Sequence, residues 1–82
     1  MNNPVKIYPN PVARILTVET GLSVYNDLTF RIIDLQGRIA LTSSIIQPME
    51  QINIEGLPSG VYIYDIQQGT LILSKGQLAI KH

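Results

Sequence analysis

The chain contains no cysteine, and its single histidine is the last residue, His82. Without cysteine there is no disulfide framework, no thiolate metal site and no Cys nucleophile, and the absence is compatible with cytoplasm, periplasm or cell surface alike. A lone histidine at a terminus, where disorder is the default, gives neither a Ser-His-Asp arrangement nor a His-based metal site a second member. Charge is sparse and balanced: six basic and six acidic residues are spread without runs, for a net charge of zero. That argues against nucleic acid or an anionic membrane surface as partner, because both need a clustered basic footprint. No apolar run is long enough to cross a bilayer, so no membrane insertion is expected, and Met1-Asn2-Asn3-Pro4 has neither a charged n-region nor an apolar h-region. Taken as a whole protein, the chain would stay in the cytoplasm; taken as an excised piece with an added Met1, it carries no such implication. No phosphate loop, Asp-rich calcium loop or zinc spacing occurs, so no cofactor is expected.

What is present is apolar residue in short, punctuated stretches. The 82 residues are 45% hydrophobic and 15% charged, the profile of one small folded domain whose core must be used efficiently. Residues 1–4 read as linker or added residues and 5–82 as the domain. The stretch that organises the rest is Leu57-Pro58-Ser59-Gly60-Val61-Tyr62-Ile63-Tyr64-Asp65-Ile66. Pro58 ends what precedes it, Gly60 permits a tight corner, and the following residues carry aromatic or aliphatic side chains on both faces, as a central strand buried between two sheets would. Its entry matches the tyrosine corner of Greek-key sandwiches, with Tyr62 turning its hydroxyl back onto a carbonyl near Leu57 or Pro58.

In chain order, Val5 to Tyr8 is a short alternating segment stopped by Pro9-Asn10-Pro11, a kink that lets an edge strand switch sheets. Arg14 to Glu19 places Leu16 and Val18 on one face, Ile15 and Thr17 on the other, and Thr20-Gly21 closes it. From Leu28 the alternation sets Leu28, Phe30 and Ile32 against Thr29, Arg31 and Ile33. Asp34-Leu35-Gln36-Gly37 reads as a hairpin loop ending in left-handed Gly37, and Arg38 to Thr42 returns antiparallel with Ile39 and Leu41 inward. Ser43 to Met49 is undetermined, and Gln51-Ile52-Asn53-Ile54 is a short strand with both isoleucines on one face. Gln67-Gln68-Gly69-Thr70 is the next hairpin, with Gly69 left-handed. Leu71-Ile72-Leu73 follows, Lys75-Gly76 interrupts as a bulge would, and Gln77 to Lys81 ends the chain as an amphipathic strand. Apolar spacing of three and four is nowhere sustained, so no helix is expected. The architecture predicted is all-β: an immunoglobulin-like antiparallel Greek-key β-sandwich of roughly seven or eight short strands.

Four segments stand in one order: Tyr8-Pro9-Asn10-Pro11, Asp34-Leu35-Gln36-Gly37-Arg38, Leu57-Pro58-Ser59-Gly60-Val61-Tyr62 and Lys75-Gly76-Gln77-Leu78-Ala79-Ile80-Lys81. From about Val5 to Lys81 the chain resembles the type A C-terminal sorting domain of cargo proteins of the type IX (Por) secretion system of Bacteroidetes. The resemblance implies a non-catalytic sandwich at the C-terminus of secreted enzymes, adhesins and gliding proteins. It implies as partners an N-terminally attached cargo, the outer-membrane translocon that recognises the domain, and a sortase-like peptidase that removes it as cargo is joined to lipopolysaccharide. The route implied is periplasm in transit, then outer membrane, cell surface or medium. Gln77 stands where family members often carry a basic residue, and His82 extends beyond the usual end.

Most of the motif residues have a sufficient structural reason. Tyr8-Pro9-Asn10-Pro11 reads as the sheet-switching kink or, functionally, as the junction between cargo linker and sorting domain, while Gly37 and Gly60 serve backbone geometry, Tyr62 the corner, and Arg38 is a solvated strand-end charge. The terminal strand carries two readings side by side. As a sheet edge, Leu71 to Lys81 offers unpaired backbone for strand addition, with Lys75 and Lys81 flanking the apolar positions, which makes Lys75 to Lys81 the candidate recognition strand. Equally, Leu78 and Ile80 complete the core while the lysines guard against aggregation. Edge strands also leave open a dimer in isolation. The carboxylates Glu19, Asp27, Asp34, Glu50, Glu55 and Asp65 are scattered; Asp65, inside the most apolar strand, is expected to face solvent or cap a loop, with no second carboxylate to form a glycosidase pair. The alternative to a sorting signal is an accessory sandwich that binds carbohydrate or another surface ligand. Such modules display a row of exposed aromatics, and here Tyr25 alone falls in a loop, since Phe30, Tyr62 and Tyr64 point to the core.

Overall fold

The computed structural model describes residues 5–21 and 27–82; Tyr25, the one loop aromatic considered above, lies outside the described residues. Among the described residues the period-two patterns fold as seven strands: β1 (Lys6–Tyr8), β2 (Ile15–Glu19), β3 (Leu28–Ile33), β4 (Ile39–Ile45), β5 (Met49–Asn53), β6 (Gly60–Gln68) and β7 (Leu71–Ile80). One sheet has the order β1-β2-β5 and the other β4-β3-β6-β7. All strand pairs are antiparallel. Hairpins β3–β4 and β6–β7 stay within the four-stranded sheet, while the β2–β3, β4–β5 and β5–β6 connections cross between sheets, the Greek-key immunoglobulin-like arrangement. No helix occurs among the described residues.

Each sheet turns one row of side chains inward, as its alternation dictates. The three-stranded sheet buries Leu16, Val18 and Ile52, and Ile54 lies just beyond it; the four-stranded sheet buries Leu28, Phe30, Ile32, Ile45, Tyr62, Ile66, Leu78 and Ile80. Fully burying a side chain of this size contributes about 1.5–3 kcal/mol relative to leaving it exposed, so this single layer supplies most of the drive to fold. The hairpins are set by local chemistry. Gly37 adopts φ +89°, and its N–H donates to the Asp34 carbonyl at 3.0 Å. Gly69 adopts φ +60° as the first of the two residues joining β6 to β7, as a type II′ loop requires.

Several expectations need correction. β6 lies inside its sheet between β3 and β7, but only its inner face (Tyr62, Tyr64, Ile66) meets the other sheet; Val61 on the outer face is exposed. β4 runs on to Ile45 rather than stopping at Thr42, and β5 begins at Met49, so most of the undetermined crossing is strand. Ile39 is exposed, not inward: the register passes from Ile32–Leu41 to Ile33–Ile39, and the extra residue, Ala40, turns the alternation over. β7 is one continuous strand. Its extra residue is Leu73, skipped between the pairs Ile66–Ser74 and Gln67–Ile72, while Lys75 and Gly76 pair regularly with Asp65 and Tyr64.

Candidate functional site

The terminal strand β7 is the outer member of the four-stranded sheet, and its two faces differ in character. Leu78 and Ile80 are fully buried and complete the core. Lys75, Gln77 and Lys81 are exposed, with Ala79 partly so. Gly76 sits beneath the Tyr64 ring, where a Cβ would lie 2.7 Å from the Tyr64 hydroxyl. A glycine covered by a cross-strand aromatic recovers the contact that it cannot make with a side chain of its own. Tyr64 in turn packs on Phe30, ring centroids 6.0 Å apart. Gly76 therefore belongs to the packing that holds β7 in place.

β7 is a sheet edge, but its backbone is not unpaired along its whole length. Beyond β1 the chain kinks at Pro9-Asn10-Pro11, where both Tyr8–Pro9 and Asn10–Pro11 peptides are cis, and crosses from the first sheet to the second. There Val12 forms a parallel bridge to Ile80: its N–H donates to the Ala79 carbonyl at 2.9 Å, and its carbonyl accepts from the Lys81 N–H at 2.9 Å. The Asn10 side chain extends the seam, its amide donating to the Gln77 carbonyl at 3.1 Å while its oxygen accepts from the Ala79 N–H at 3.0 Å. The kink does switch sheets, and the asparagine within it ties the first family motif to the last. Val12 is buried to 1% exposure. Nothing local marks it, since one valine between Pro11 and Ala13 has no periodicity.

The corner motif behaves as its chemistry predicts. The Tyr62 hydroxyl donates to the Pro58 carbonyl at 2.6 Å. His82, expected to be loose, is instead docked on the same corner, its N–H donating to Ser59 Oγ at 3.0 Å and its ring Nε2 lying 2.6 Å from the Leu57 carbonyl. A carbonyl only accepts, so the ring nitrogen carries the proton in this contact. Nothing in composition marks a terminal residue for such a contact.

The charged groups are structural in their placement. Asp65 neither faces solvent nor caps a loop; its side chain is 4% exposed and takes a bidentate ion pair from Arg31 on the neighbouring strand, with Nε to Oδ1 at 2.9 Å. That bond raises the Arg31 guanidinium above its ordinary value, against the opposing effect of burial. A charge inside an apolar strand signals such a pair, and the register Arg31–Asp65 supplies it. Asp34 accepts from the Arg38 N–H at 2.9 Å and the Gln36 N–H at 3.0 Å, and pairs with the Arg38 guanidinium at 3.0 Å. The backbone hydrogen bond from Arg38 is the main cause holding the Asp34 carboxyl below its usual value. In the first sheet, Tyr8 donates to Glu19 at 2.8 Å, which raises the phenol.

The site residues thus fall into two groups in space. Asn10 joins Gln77 and Ala79 along one edge, and Leu57 and Ser59 join the end of the chain through His82, while Tyr8 bonds Glu19 in the first sheet; Asp34, Gly37 and Arg38 stand apart in the β3–β4 hairpin. Among the described residues no three His, Asp or Glu side chains group as metal ligands would, and Tyr8 is the one exposed aromatic. What the arrangement offers chemically is a strand edge and an exposed basic and polar row beside it. Residues 6–81 match the family described as the secretion system C-terminal sorting domain. No curated protein matches the sequence.

Proposed function

Because the chain belongs to the type IX secretion C-terminal sorting domain family, a signal for export of an attached cargo to the outer membrane, cell surface or medium, we propose that β7 is the segment the outer-membrane translocon reads. The observation that carries the sorting function is the match over residues 6–81. The observation that supports β7 as the recognition strand is its place at the sheet margin, with Lys75, Gln77 and Lys81 exposed while Leu78 and Ile80 hold it to the core. In this reading the cargo, attached before the domain, crosses the periplasm first. The folded domain then engages the translocon through main-chain pairing and basic flanks, and a sortase-like peptidase separates it from the cargo. The domain itself supplies recognition and no chemistry.

The test is a reporter carrying a periplasmic signal peptide and this chain at its C-terminus, expressed in a Bacteroidetes host with and without a working type IX translocon. Export that depends on the translocon is expected. Removing Gln77 to His82 outright would also remove Leu78 and Ile80 from the core, so the informative variant is Lys75→Gln with Lys81→Gln, which leaves both buried residues in place. The charge is neutralised, not reversed, because Lys75 pairs in register with Asp65. A fall of about tenfold in surface reporter with unchanged melting of the purified domain is the expected result. Undiminished export of that variant overturns the role of the basic flanks, and translocon-independent release of the wild-type fusion overturns the reading altogether.

A further inference from the structure

The four bonds across the β7 edge have an unusual composition. In a regular parallel strand, residue 12 would bond the carbonyl of residue 79 and the N–H of residue 81, and residue 10 would bond the carbonyl of 77 and the N–H of 79. Val12 does this with its main chain, but Asn10 does it with its side chain, its own N–H and C=O taking no part in these bonds. The Asn10 amide therefore stands in for a peptide group, holding the place of a strand that the chain does not itself provide. The next outward-facing residue, Lys75, lies two positions before Gln77, past the last of these bonds, and no described residue pairs with its main chain across the edge.

We propose that Asn10 to Val12 is a displaceable strap, and that the β7 edge beneath it is the docking surface for an extended polypeptide strand running parallel to β7. The inference rests on the reading of β7 as the recognition strand and adds how its backbone becomes available. The occupant is defined by what the strap leaves and what it fills. A proline-free strand restores main-chain bonds at Gln77 and Ala79 and extends them to Lys75, which the strap does not reach. It must also bring an aliphatic side chain to the register of Val12, whose own side chain is buried at the core margin beside Ile80. The exchange keeps every bond that the strap makes and gains those of the Lys75 carbonyl and the Gln77 N–H, so a partner strand with that pattern replaces it without leaving the edge unpaired. Tyr8, bonded to Glu19, holds the other end of the segment in the first sheet, so the strap lifts while β1 stays paired.

Amide exchange followed by NMR on the purified full chain tests this directly. The N–H groups of Ala79 and Lys81 depend on the strap, whereas those of Leu78 and Ile80 face β6. Local opening predicts that Ala79 and Lys81 exchange at least about tenfold faster than Leu78 and Ile80. The probe is the synthetic peptide Lys-Tyr-Thr-Val-Thr-Val-Thr-Arg, a proline-free strand. In millimolar peptide, protection should appear at Gln77, whose N–H the strap leaves unbonded, and rise at Ala79 and Lys81, more strongly in the Asn10→Ala variant than in the wild type. Equal, slow exchange at all four amides in the wild type overturns the strap, and so does peptide that leaves Gln77 unprotected. The wild-type measurements stand even if Asn10→Ala fails to fold. Because no secretion machinery is involved, the outcome is separable from the export assay. Exported cargo with a closed strap sinks this inference alone, and absent export with an opening strap sinks the sorting role of β7 alone.

Discussion

At Gly76 a side chain has no room, since a Cβ would stand 2.7 Å from the Tyr64 hydroxyl and 2.9 Å from two of its ring carbons. Tyr64 cannot simply swing aside, for its ring is partly buried against the core and stacked near Phe30. Gly76→Val is accordingly expected to destabilise the domain by about 1–3 kcal/mol, the usual cost of forcing atoms into a packed site. In a Tyr64→Ala background the same change should cost much less, and urea denaturation of the four chains measures the coupling. Equal costs in both backgrounds would mean that the ring is not what the side chain meets. The sequence placed a glycine at this point and suggested an interruption. It did not reveal the reason, because the residue that excludes a side chain lies on the neighbouring strand, twelve positions earlier.

The β3–β4 hairpin is held by one carboxylate. Asp34 accepts two backbone N–H groups and the Arg38 guanidinium, and its carboxyl is held below the ordinary value of 3.8, chiefly by the backbone hydrogen bond from Arg38. A carboxyl whose folded value is lowered adds stability above its unfolded value and loses it as pH falls through the folded one. Between neutral pH and about pH 5 the contribution is therefore constant, and it fades below about pH 4. Thermal melts across that range should show a wild-type decline that is shallower in Asp34→Asn, whose side chain does not titrate. Identical slopes would remove Asp34 from the acid sensitivity of the domain. This loop was legible in the sequence because every part of it is local: Asp34, the left-handed Gly37 and Arg38 interact within four residues of one another. The strand that follows was misread at Ile39, because the extra residue Ala40 is defined only by pairing with β3.

On the scale of the whole molecule, the outer face of the four-stranded sheet carries one buried charge pair, Arg31 with Asp65, joining β3 to β6. The Asp65 side chain is 4% exposed and that of Arg31 23%, so losing either partner strands a charge, more severely when the stranded one is Asp65. Arg31→Ala should cost about 3–5 kcal/mol and Asp65→Ala somewhat less, because the arginine can reach water. The double variant Arg31→Leu with Asp65→Leu, measured by chemical denaturation, is expected to recover most of the loss, since apolar replacement removes the desolvation penalty with the pair. A double variant as unstable as Arg31→Ala would mean that the ion pair, not the avoidance of a stranded charge, stabilises the sheet.

The amino-acid sequence by itself determined the elements and the family. Alternation in Leu28-Thr29-Phe30-Arg31-Ile32, the glycines of the two hairpins and the Pro58-to-Tyr62 corner act over a few residues, and four such segments in one order mark a sorting domain. Only the tertiary structure decided what the ends of the chain do. Asn10 and Val12 meet the last strand across nearly the whole length of the sequence, His82 closes on the Leu57 corner, and Asp65 finds Arg31. Those contacts arise between segments whose patterns carry no mark of each other. Hydrophobic period and turn chemistry specify each strand locally, whereas the partner of a hydrogen-bonding edge or a buried charge is fixed only when two sheets close on a common core.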